Sequence, residues 1–217
     1  MVSPLIAALV SALAVSSVSP AQSQSGTHPK IVALGDSLTS GRGVPADSAW
    51  PSLIQDRLNQ ADMNYTIVNA GVSGDTSGGA LRRYERVLNA DVRILIIALG
   101  ANDGLRGVAV ERLKDNLSTI IETAQSRGIT VLLCGMEALP IHGWDYTVAF
   151  HKAYMELASR YKLTLVPFFL LNVIGNPDLM QPDRAHPNAA GHRAIAEKIW
   201  PYLEPLVVQP TKGRPLA

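Results

Sequence analysis

An α/β fold with a parallel sheet is predicted by three features of the sequence. The apolar runs are continuous, helical patterns of about ten residues or more separate them, and 217 residues suffice for one domain. Strands buried on both faces of a parallel sheet have such runs, whereas half-exposed strands alternate. We therefore expect a three-layer α/β/α sandwich of flavodoxin-like topology with about five strands, formed by residues 25–207.

The apolar runs and helical patterns alternate regularly along the chain. The predicted strands are residues 30–34, 65–69, 93–99, 129–135 and 163–166. The predicted helices are residues 49–60, 77–88, 108–127, 146–161 and 188–203. In the third helix Leu113, Leu117, Ile120 and Ile121 share one face, and Gly128 stands where a helix commonly ends. This order predicts strands joined by helical crossovers.

The two ends of the chain have a different composition from the predicted domain. Residues 4–18 are apolar or small and are followed by Ser19-Pro20-Ala21 and a polar stretch. This pattern indicates a signal peptide over residues 1–24, cleaved near Ala21. The rival interpretation, a membrane anchor, needs a longer apolar run of ~20 residues. We expect a secreted protein, periplasmic or extracellular, without stable membrane insertion, and a loosely attached tail over residues 208–217.

Charge and cysteine content exclude several functional classes. Lys and Arg total 19 and Asp and Glu 18, a net charge of +1, and no basic run favours a nucleic-acid partner. The densest cluster, Arg82, Arg83 and Arg86, is interpreted as a solvated helix face. The single cysteine, Cys134, lies in a predicted buried strand, so no intramolecular disulfide forms and a nucleophilic role is not favoured. No motif predicts a metal or another cofactor.

Polar clusters stand at the ends of three predicted strands and before the last predicted helix. They occupy residues 35–39, 69–77, 100–103 and 183–188. The carboxyl ends of parallel strands share one edge of the sheet, where ligands bind at the topological switch point. Each cluster alone is also typical of a turn or a helix cap. Their combination favours a site at this edge.

Acyl transfer requires the residue types that these clusters contain. Ser37 offers a hydroxyl nucleophile, His186 a base for its proton, and Asp183 a carboxylate that fixes the imidazole tautomer. Gly74 can bring a backbone N–H close to a developing oxyanion, and Asn102 can offer its side-chain amide. The classical Gly-x-Ser-x-Gly elbow is absent. The other histidines lack a carboxylate at a helpful spacing, apart from His142 near Asp145.

The sequence resembles the GDSL, or SGNH, family of lipolytic hydrolases over residues 30–207. The four residues of the family name fall on Ser37, Gly74, Asn102 and His186. Gly-Asp-Ser-Leu-Thr, Ser-Gly-Asp-Thr-Ser and Gly-Ala-Asn-Asp are most similar to its bacterial arylesterases and thioesterase/lysophospholipases. The resemblance implies the SGNH hydrolase fold and an oxyanion hole of the Ser37 and Gly74 N–H groups with the Asn102 amide. It also implies a cofactor-free esterase acting on aryl and short-to-medium acyl esters, thioesters and lysophospholipids.

One part of the last motif departs from the family pattern. The family has a glycine and a branched apolar residue between its Asp and His, whereas this chain has Arg184 and Ala185. The residue before the histidine borders the acyl pocket in the family. We expect Ala185, together with Leu105 and Leu139 from loops after the third and fourth strands, to line the acyl site.

Two alternatives predict other functions for the same clusters. A carbohydrate acetylesterase of the same fold needs an open aromatic cleft, for which Trp144 and Tyr146 are the loop candidates. A non-catalytic module binds an anion through the turn at residues 35–39 and the helix that follows it. A serine-directed phosphonate distinguishes the second alternative, because that alternative predicts no reaction.

Overall fold

The fold is described from a computed structural model covering residues 28–208. The predicted signal peptide and residues 209–217 of the predicted tail lie outside the described residues. Within residues 28–208, no helix is both long and apolar enough to cross a bilayer.

Five parallel strands form one sheet, as predicted. They are β1 (Lys30–Gly35), β2 (Thr66–Gly71), β3 (Val92–Ala98), β4 (Thr130–Cys134) and β5 (Thr164–Val166). Their order is β2-β1-β3-β4-β5, and every neighbouring pair is parallel. The chain moves outward from β1 to β2 and then returns to β3 on the other side of β1. The switch point therefore lies between β1 and β3, which confirms the flavodoxin-like topology.

Helices cover both faces of the sheet. They are α1 (Ser37–Ser40), α2 (Trp50–Gln60), α3 (Ser77–Leu81), α4 (Ala101–Arg106), α5 (Val110–Ser126), α6 (Trp144–Tyr161) and α7 (Ala189–Val208). Helix α2 packs against α7, and α5 packs against α3 and α6. Strands β1, β3 and β4 are buried and apolar on both faces; in β3 only Arg93 is not buried. Burial on both faces explains why the strand sequences do not alternate.

The predicted helix over residues 77–88 is wrong in its second half. Helix α3 ends at Leu81, and a 3₁₀ turn over Tyr84–Arg86 follows it. Between them Arg83 leaves the helical conformation, with φ −130°. Its guanidinium donates to the carbonyls of Gly35 and Ala70 at 2.9 Å each. These long-range hydrogen bonds accompany the break, which a local pattern does not reveal.

The last helix is longer than predicted and contains two prolines. Helix α7 runs to Val208 through Pro201 and Pro205, although the sequence predicted its end near Leu203. Leu203 and Val207 are buried, so apolar packing holds the last turns against the body of the domain. Tertiary contacts thus compensate for the backbone hydrogen bonds that proline cannot make.

Candidate active site

Ser37 stands at the carboxyl edge of the sheet, at the first position of α1. Strand β1 ends at Gly35, and the Asp36 side chain accepts a hydrogen bond from the Leu38 N–H at 2.9 Å, which caps the helix. A side chain at position 35 would overlap Thr39, so the tight turn after β1 requires glycine. Ser37 is 8% exposed, so it is buried but not sealed from solvent.

His186 and Asp183 reach Ser37 from the loop before α7. His186 Nε2 lies 3.1 Å from Ser37 Oγ, and His186 Nδ1 lies 2.6 Å from Asp183 Oδ2. The other carboxylate oxygen of Asp183 accepts the backbone N–H groups of Ala185 and His186, both at 3.0 Å. When Nδ1–H donates to the carboxylate, Nε2 carries the lone pair that faces the serine hydroxyl. A serine, a base and an orienting carboxylate are therefore in line.

Asp183 remains ionised down to low pH. Its hydrogen bond with His186, supported by the two backbone N–H groups, lowers the pKa of this carboxyl to about 2. An ionised carboxylate favours the tautomer with hydrogen on Nδ1 and stabilises an imidazolium formed during proton transfer. The electrostatics of the pair thus suit a His186 that accepts a proton from Ser37.

Gly74, on the loop after β2, and Asn102, on helix α4, lie beside the segment that carries Ser37. Asn102 Nδ2 donates to the carbonyl of Asp75 at 2.9 Å, and Arg106 donates to the carbonyl of Gly74 at 3.0 Å. A Cβ at position 74 would meet only Arg106, at 3.8 Å, so close approach of the backbone, the reason expected from the sequence, does not require glycine there. Gly74 has φ +84°, however, and this left-handed conformation favours glycine.

Arg83 and Asp36 were not predicted to belong to the site. The interpretation of Arg83 as part of a solvated face is wrong, because its side chain is only 19% exposed and its Nε lies 2.6 Å from Asp75 Oδ2. Through this ion pair and its bonds to strand carbonyls, Arg83 joins β1, β2 and the Gly74 loop. Asp36 is fully buried and its Oδ2 accepts from Asn102 Nδ2 at 3.3 Å. The only sequence signal was its place in the Gly-Asp-Ser triplet.

His142 and His151 have structural partners. His151 Nδ1 lies 2.6 Å from Glu137 Oε1, a carboxylate partner that no local spacing in the sequence indicated. Its partner comes from the loop after β4, far from it in sequence. His142 Nε2 faces the Leu105 carbonyl at 3.2 Å, and its ring packs edge-on against Tyr146. In the described residues, no three His, Cys, Asp or Glu side chains are grouped to hold a metal ion.

His192 is buried near the site and is expected to limit stability in acid. Its Nδ1 accepts the Trp50 N–H at 3.3 Å, and burial, followed by the charge of His186, lowers its pKa to about 4. As the pH falls, His192 is therefore protonated near pH 6.5 in the unfolded chain but only near pH 4 in the folded protein. The stability that neutral His192 contributes is present above pH 6.5 and is lost as the pH falls through this window, by about 3 kcal/mol.

The variant His192→Gln measures this effect, because the glutamine carbonyl can still accept the Trp50 N–H. We expect the free energy of unfolding of the wild type, minus that of the variant, to fall by about 3 kcal/mol from about pH 7.5 to about pH 4. Denaturant unfolding of wild type and variant at each pH gives the four free energies of unfolding that the comparison needs. Burial raises the pKa of Asp36 to about 6, so this carboxyl makes the folded protein more stable as the pH falls. Its contribution is the same in wild type and variant and therefore cancels in the difference. A difference that is independent of pH would refute the prediction.

The three predicted acyl-site residues are all exposed at the surface. Leu105 is on α4 and Leu139 precedes a 3₁₀ turn at Pro140–His142; they are 56% and 57% exposed. Neither leucine therefore plugs a loop onto the core. Ala185 is exposed beside Asp183. Leu105, expected in a loop, lies near the end of helix α4, which Gly107 closes at φ +63°.

Comparison with known proteins places the chain in a family. Residues 33–194 match the sequence model of the GDSL-like Lipase/Acylhydrolase family. The chain belongs to this family. The match spans all the predicted catalytic and oxyanion residues, from Ser37 to His186.

Three characterised relatives of this GDSL-like acylhydrolase cover most of its length. Esterase TesA of Pseudomonas aeruginosa is 38% identical over 85% of this chain and 92% of its own. The Arylesterase of Vibrio mimicus is 37% identical, over 77% and 84% of the two chains. Thioesterase 1/protease 1/lysophospholipase L1 of Escherichia coli is 34% identical, over 82% and 84%.

Solved structures give the same result for the fold. The crystal structure of TesA has a TM-score of 0.78 at 39% identity and covers 82% of this chain and 99% of its own. Esterase EstA from Pseudoalteromonas, inhibited by monoethylphosphonate, has a TM-score of 0.78 at 31% identity, over 83% and 99%. The fold predicted from the sequence is thereby confirmed.

Proposed function

We propose that this protein is a serine esterase that hydrolyses carboxylic esters through an acyl-enzyme on Ser37. The observation that carries the proposal is the pair of short contacts at His186, 3.1 Å to Ser37 Oγ and 2.6 Å to Asp183 Oδ2. The names of the relatives, esterase, arylesterase and thioesterase/lysophospholipase, support the same reaction class. Aryl esters, short-to-medium acyl esters, thioesters and lysophospholipids are the substrates that we propose.

The proposed reaction has two half-reactions with the same proton carrier. Ser37 Oγ attacks the ester carbonyl carbon while its proton moves to His186 Nε2, and the carbonyl oxygen becomes an oxyanion. The C–O bond to the leaving alcohol then breaks, and the alcohol takes the proton from His186. Water repeats the attack on the acyl-enzyme, releasing the carboxylic acid and restoring Ser37.

The proposed oxyanion hole consists of the backbone N–H groups of Ser37 and Gly74 with the Asn102 side chain. The bond from Asn102 Nδ2 to Asp75 O ties α4 to the Gly74 loop, and a 3.2 Å contact between the Ser40 and Ser73 hydroxyls ties α1 to it. Donors held by such cross-links need little reorganisation when the negative charge forms. Preorganisation of this kind is the main source of oxyanion stabilisation.

Incubation with a serine-directed alkyl phosphonate tests the proposal. We expect one covalent adduct per chain, on the peptide that contains Ser37, and parallel loss of aryl ester hydrolysis. Excess ester substrate should slow the labelling. The alternative of a non-catalytic anion-binding module predicts no adduct and no hydrolysis.

The alternative of a carbohydrate acetylesterase is less well supported by the aromatic residues. Trp144 and Tyr146, expected in a loop, belong to the first turns of α6. The Tyr146 hydroxyl donates to the carbonyl of Val108 at 2.9 Å, which fixes it away from a substrate. Trp144 alone is widely exposed, at 73%. One free aromatic side chain does not make a carbohydrate cleft.

The acyl site that we propose predicts how chain-length preference responds to mutation. The expected lining residues are Leu105, Leu139 and Ala185, all of which are exposed. We expect Ala185→Ile to narrow the site and shift preference to shorter acyl chains, and Leu139→Ala to weaken the preference for longer ones. A methylene contributes at most ~0.8 kcal/mol, so preference should change by under about fourfold per carbon.

Values of kcat/KM across straight-chain acyl esters check this prediction. Met155→Ala is the matched control, because Met155 is also a half-exposed apolar residue but lies on the body of α6. Identical chain-length profiles for wild type, Ala185→Ile and Leu139→Ala would place the acyl site elsewhere.

Export is a further part of the proposal. It is supported by the apolar and small residues over 4–18 and the small residues near Ala21. Amino-terminal sequencing of the protein recovered from the periplasm or medium tests it. We expect a mature chain beginning near residue 25, and an intact Met1 in a cytoplasmic protein would contradict export.

A further inference from the structure

Asn102 has two acceptors on the same end of its side-chain amide. Nδ2 lies 2.9 Å from the Asp75 carbonyl oxygen and 3.3 Å from Asp36 Oδ2. The oxygen and nitrogen ends of an asparagine amide are nearly the same size, so a half-turn about its last bond exchanges them. Here the exchange would place Oδ1 against two oxygens. The two acceptors therefore select the orientation in which Nδ2 faces the end of β1, where Ser37 stands.

Asp36 has one oxygen for the helix and one for Asn102. Oδ1 accepts the Leu38 N–H at 2.9 Å, and Oδ2 is the atom that faces Asn102. Capping alone does not require an acid, because asparagine and serine cap helices equally well. The residue is fully buried, and burial raises its pKa to about 6, so the carboxylate is kept at a free-energy cost. The presence of a buried carboxylate is explained if its second oxygen has a function that a serine or asparagine cap could not provide.

We propose that Asp36 is a positioning residue for the oxyanion hole, holding the Nδ2 end of Asn102 toward Ser37. The proposal rests on the proposed function, in which Asn102 donates to the oxyanion. Asp36 itself contacts no substrate. Both hydrogens of the Asn102 amide have acceptors in the free enzyme, and the one on the longer bond, 3.3 Å to Asp36 Oδ2, is the one that the oxyanion shares when it forms. The effect of Asp36 passes through the orientation of one amide, while the Asp75 carbonyl, fixed in turn by the ion pair of Asp75 with Arg83, supplies the other acceptor.

The variant Asp36→Asn separates the two tasks of this side chain. An asparagine keeps the size of the residue and can still accept the Leu38 N–H through Oδ1. Its NH₂ group, however, replaces Oδ2 and meets the NH₂ group of Asn102, so two donors face each other. We expect kcat to fall by about 10- to 100-fold, less than on removal of Asn102, with little change in KM.

A double-mutant cycle shows whether the loss passes through Asn102. In an Asn102→Ala background we expect Asp36→Asn to cause no further fall in kcat, because the amide that it orients is gone. If the two losses multiply, Asp36 acts by another route, for instance through its charge near His186, and the proposal is wrong. Wild-type kcat in Asp36→Asn overturns it equally.

The side-chain amide resonances of Asn102 give a readout that does not depend on activity. The pair is assigned as the one missing from the ¹⁵N spectrum of Asn102→Ala. We expect Asp36→Asn to shift both of its proton resonances and to speed their exchange with water, whereas Tyr84→Phe, which removes a hydrogen bond to Thr123 on α5, leaves them unchanged. An unshifted pair in Asp36→Asn overturns the positioning role.

The outcomes distinguish this proposal from the proposed function. If Asn102→Ala retains kcat, the oxyanion assignment fails and the positioning role fails with it. If Asn102→Ala loses kcat but Asp36→Asn does not, only the positioning role fails. Should Asp36→Asn not fold, Asp36→Ser serves in its place, since serine caps a helix but is too short to reach Asn102.

Discussion

Replacing Ser37 by alanine is expected to abolish ester hydrolysis, with kcat falling by roughly 10⁶-fold. The hydroxyl forms the covalent acyl-enzyme in the proposed reaction, and no other group replaces it once it is removed. The fold should survive, because the change removes one oxygen whose side-chain partner is His186 Nε2, 3.1 Å away. We expect the free energy of unfolding to change by about 1 kcal/mol or less.

Steady-state hydrolysis of an aryl ester gives kcat, and denaturant unfolding of the same preparation gives the free energy of unfolding. Ser52→Ala is the matched control: the hydroxyl of Ser52, on α2, donates to the carbonyl of Ala46, just before that helix, at 2.7 Å, and its loss should leave kcat near the wild-type value. The phosphonate adduct should disappear in Ser37→Ala alone. An adduct on Ser73 or Ser77, or substantial hydrolysis by folded Ser37→Ala, would show that Ser37 is not the nucleophile.

The sequence was sufficient for the sheet and for the meeting of the polar clusters. Continuous apolar runs arise where a strand is covered on both faces, so β1 and β3 were recognisable without any contact information. Parallel strands put their carboxyl ends at one edge, which brings Ser37 and Asn102 together. His186 lies in the same place because its loop leads into α7.

Features that depend on contacts between distant residues escaped prediction. The break after α3 accompanies the Arg83 bonds to Gly35 and Ala70, which are 48 and 13 residues away. The pairing of His151 with Glu137 requires α6 to pack beside the loop after β4. Helix α7 continues past Pro205 because its last apolar residues are buried. In each case packing or hydrogen bonding overrides a local sequence signal.

Asp36 shows how one residue can be recognised and still be misinterpreted. The Gly-Asp-Ser triplet was interpreted as a turn and a helix cap, and the structure contains that cap. A carboxylate has two oxygens, however, and a sequence pattern identifies a partner for only one of them. The second partner, Asn102, is 66 residues away and became visible only with the side chains in place.

Removal of the Asn102 side chain is expected to lower kcat by about 10²–10³-fold with little change in KM, a loss of about 3–4 kcal/mol of transition-state stabilisation. The amide stabilises charge that develops only after attack by Ser37, so binding of the neutral ester is affected little. Asn102→Ala also leaves Asp36 Oδ2 and the Asp75 carbonyl without this donor. A moderate fall in melting temperature should therefore accompany the kinetic loss.

A matched structural asparagine separates the two effects of that substitution. Asn116→Ala removes a part-buried amide whose Nδ2 donates to Ser77 Oγ at 2.9 Å, and we expect it to lower the melting temperature while kcat stays near the wild-type value. Both variants are assayed well below their melting temperatures, so that kcat reports only the folded protein. If Asn102→Ala behaves like Asn116→Ala, then Asn102 only cross-links the loops at the sheet edge, and stabilisation of the oxyanion must come from backbone N–H groups alone.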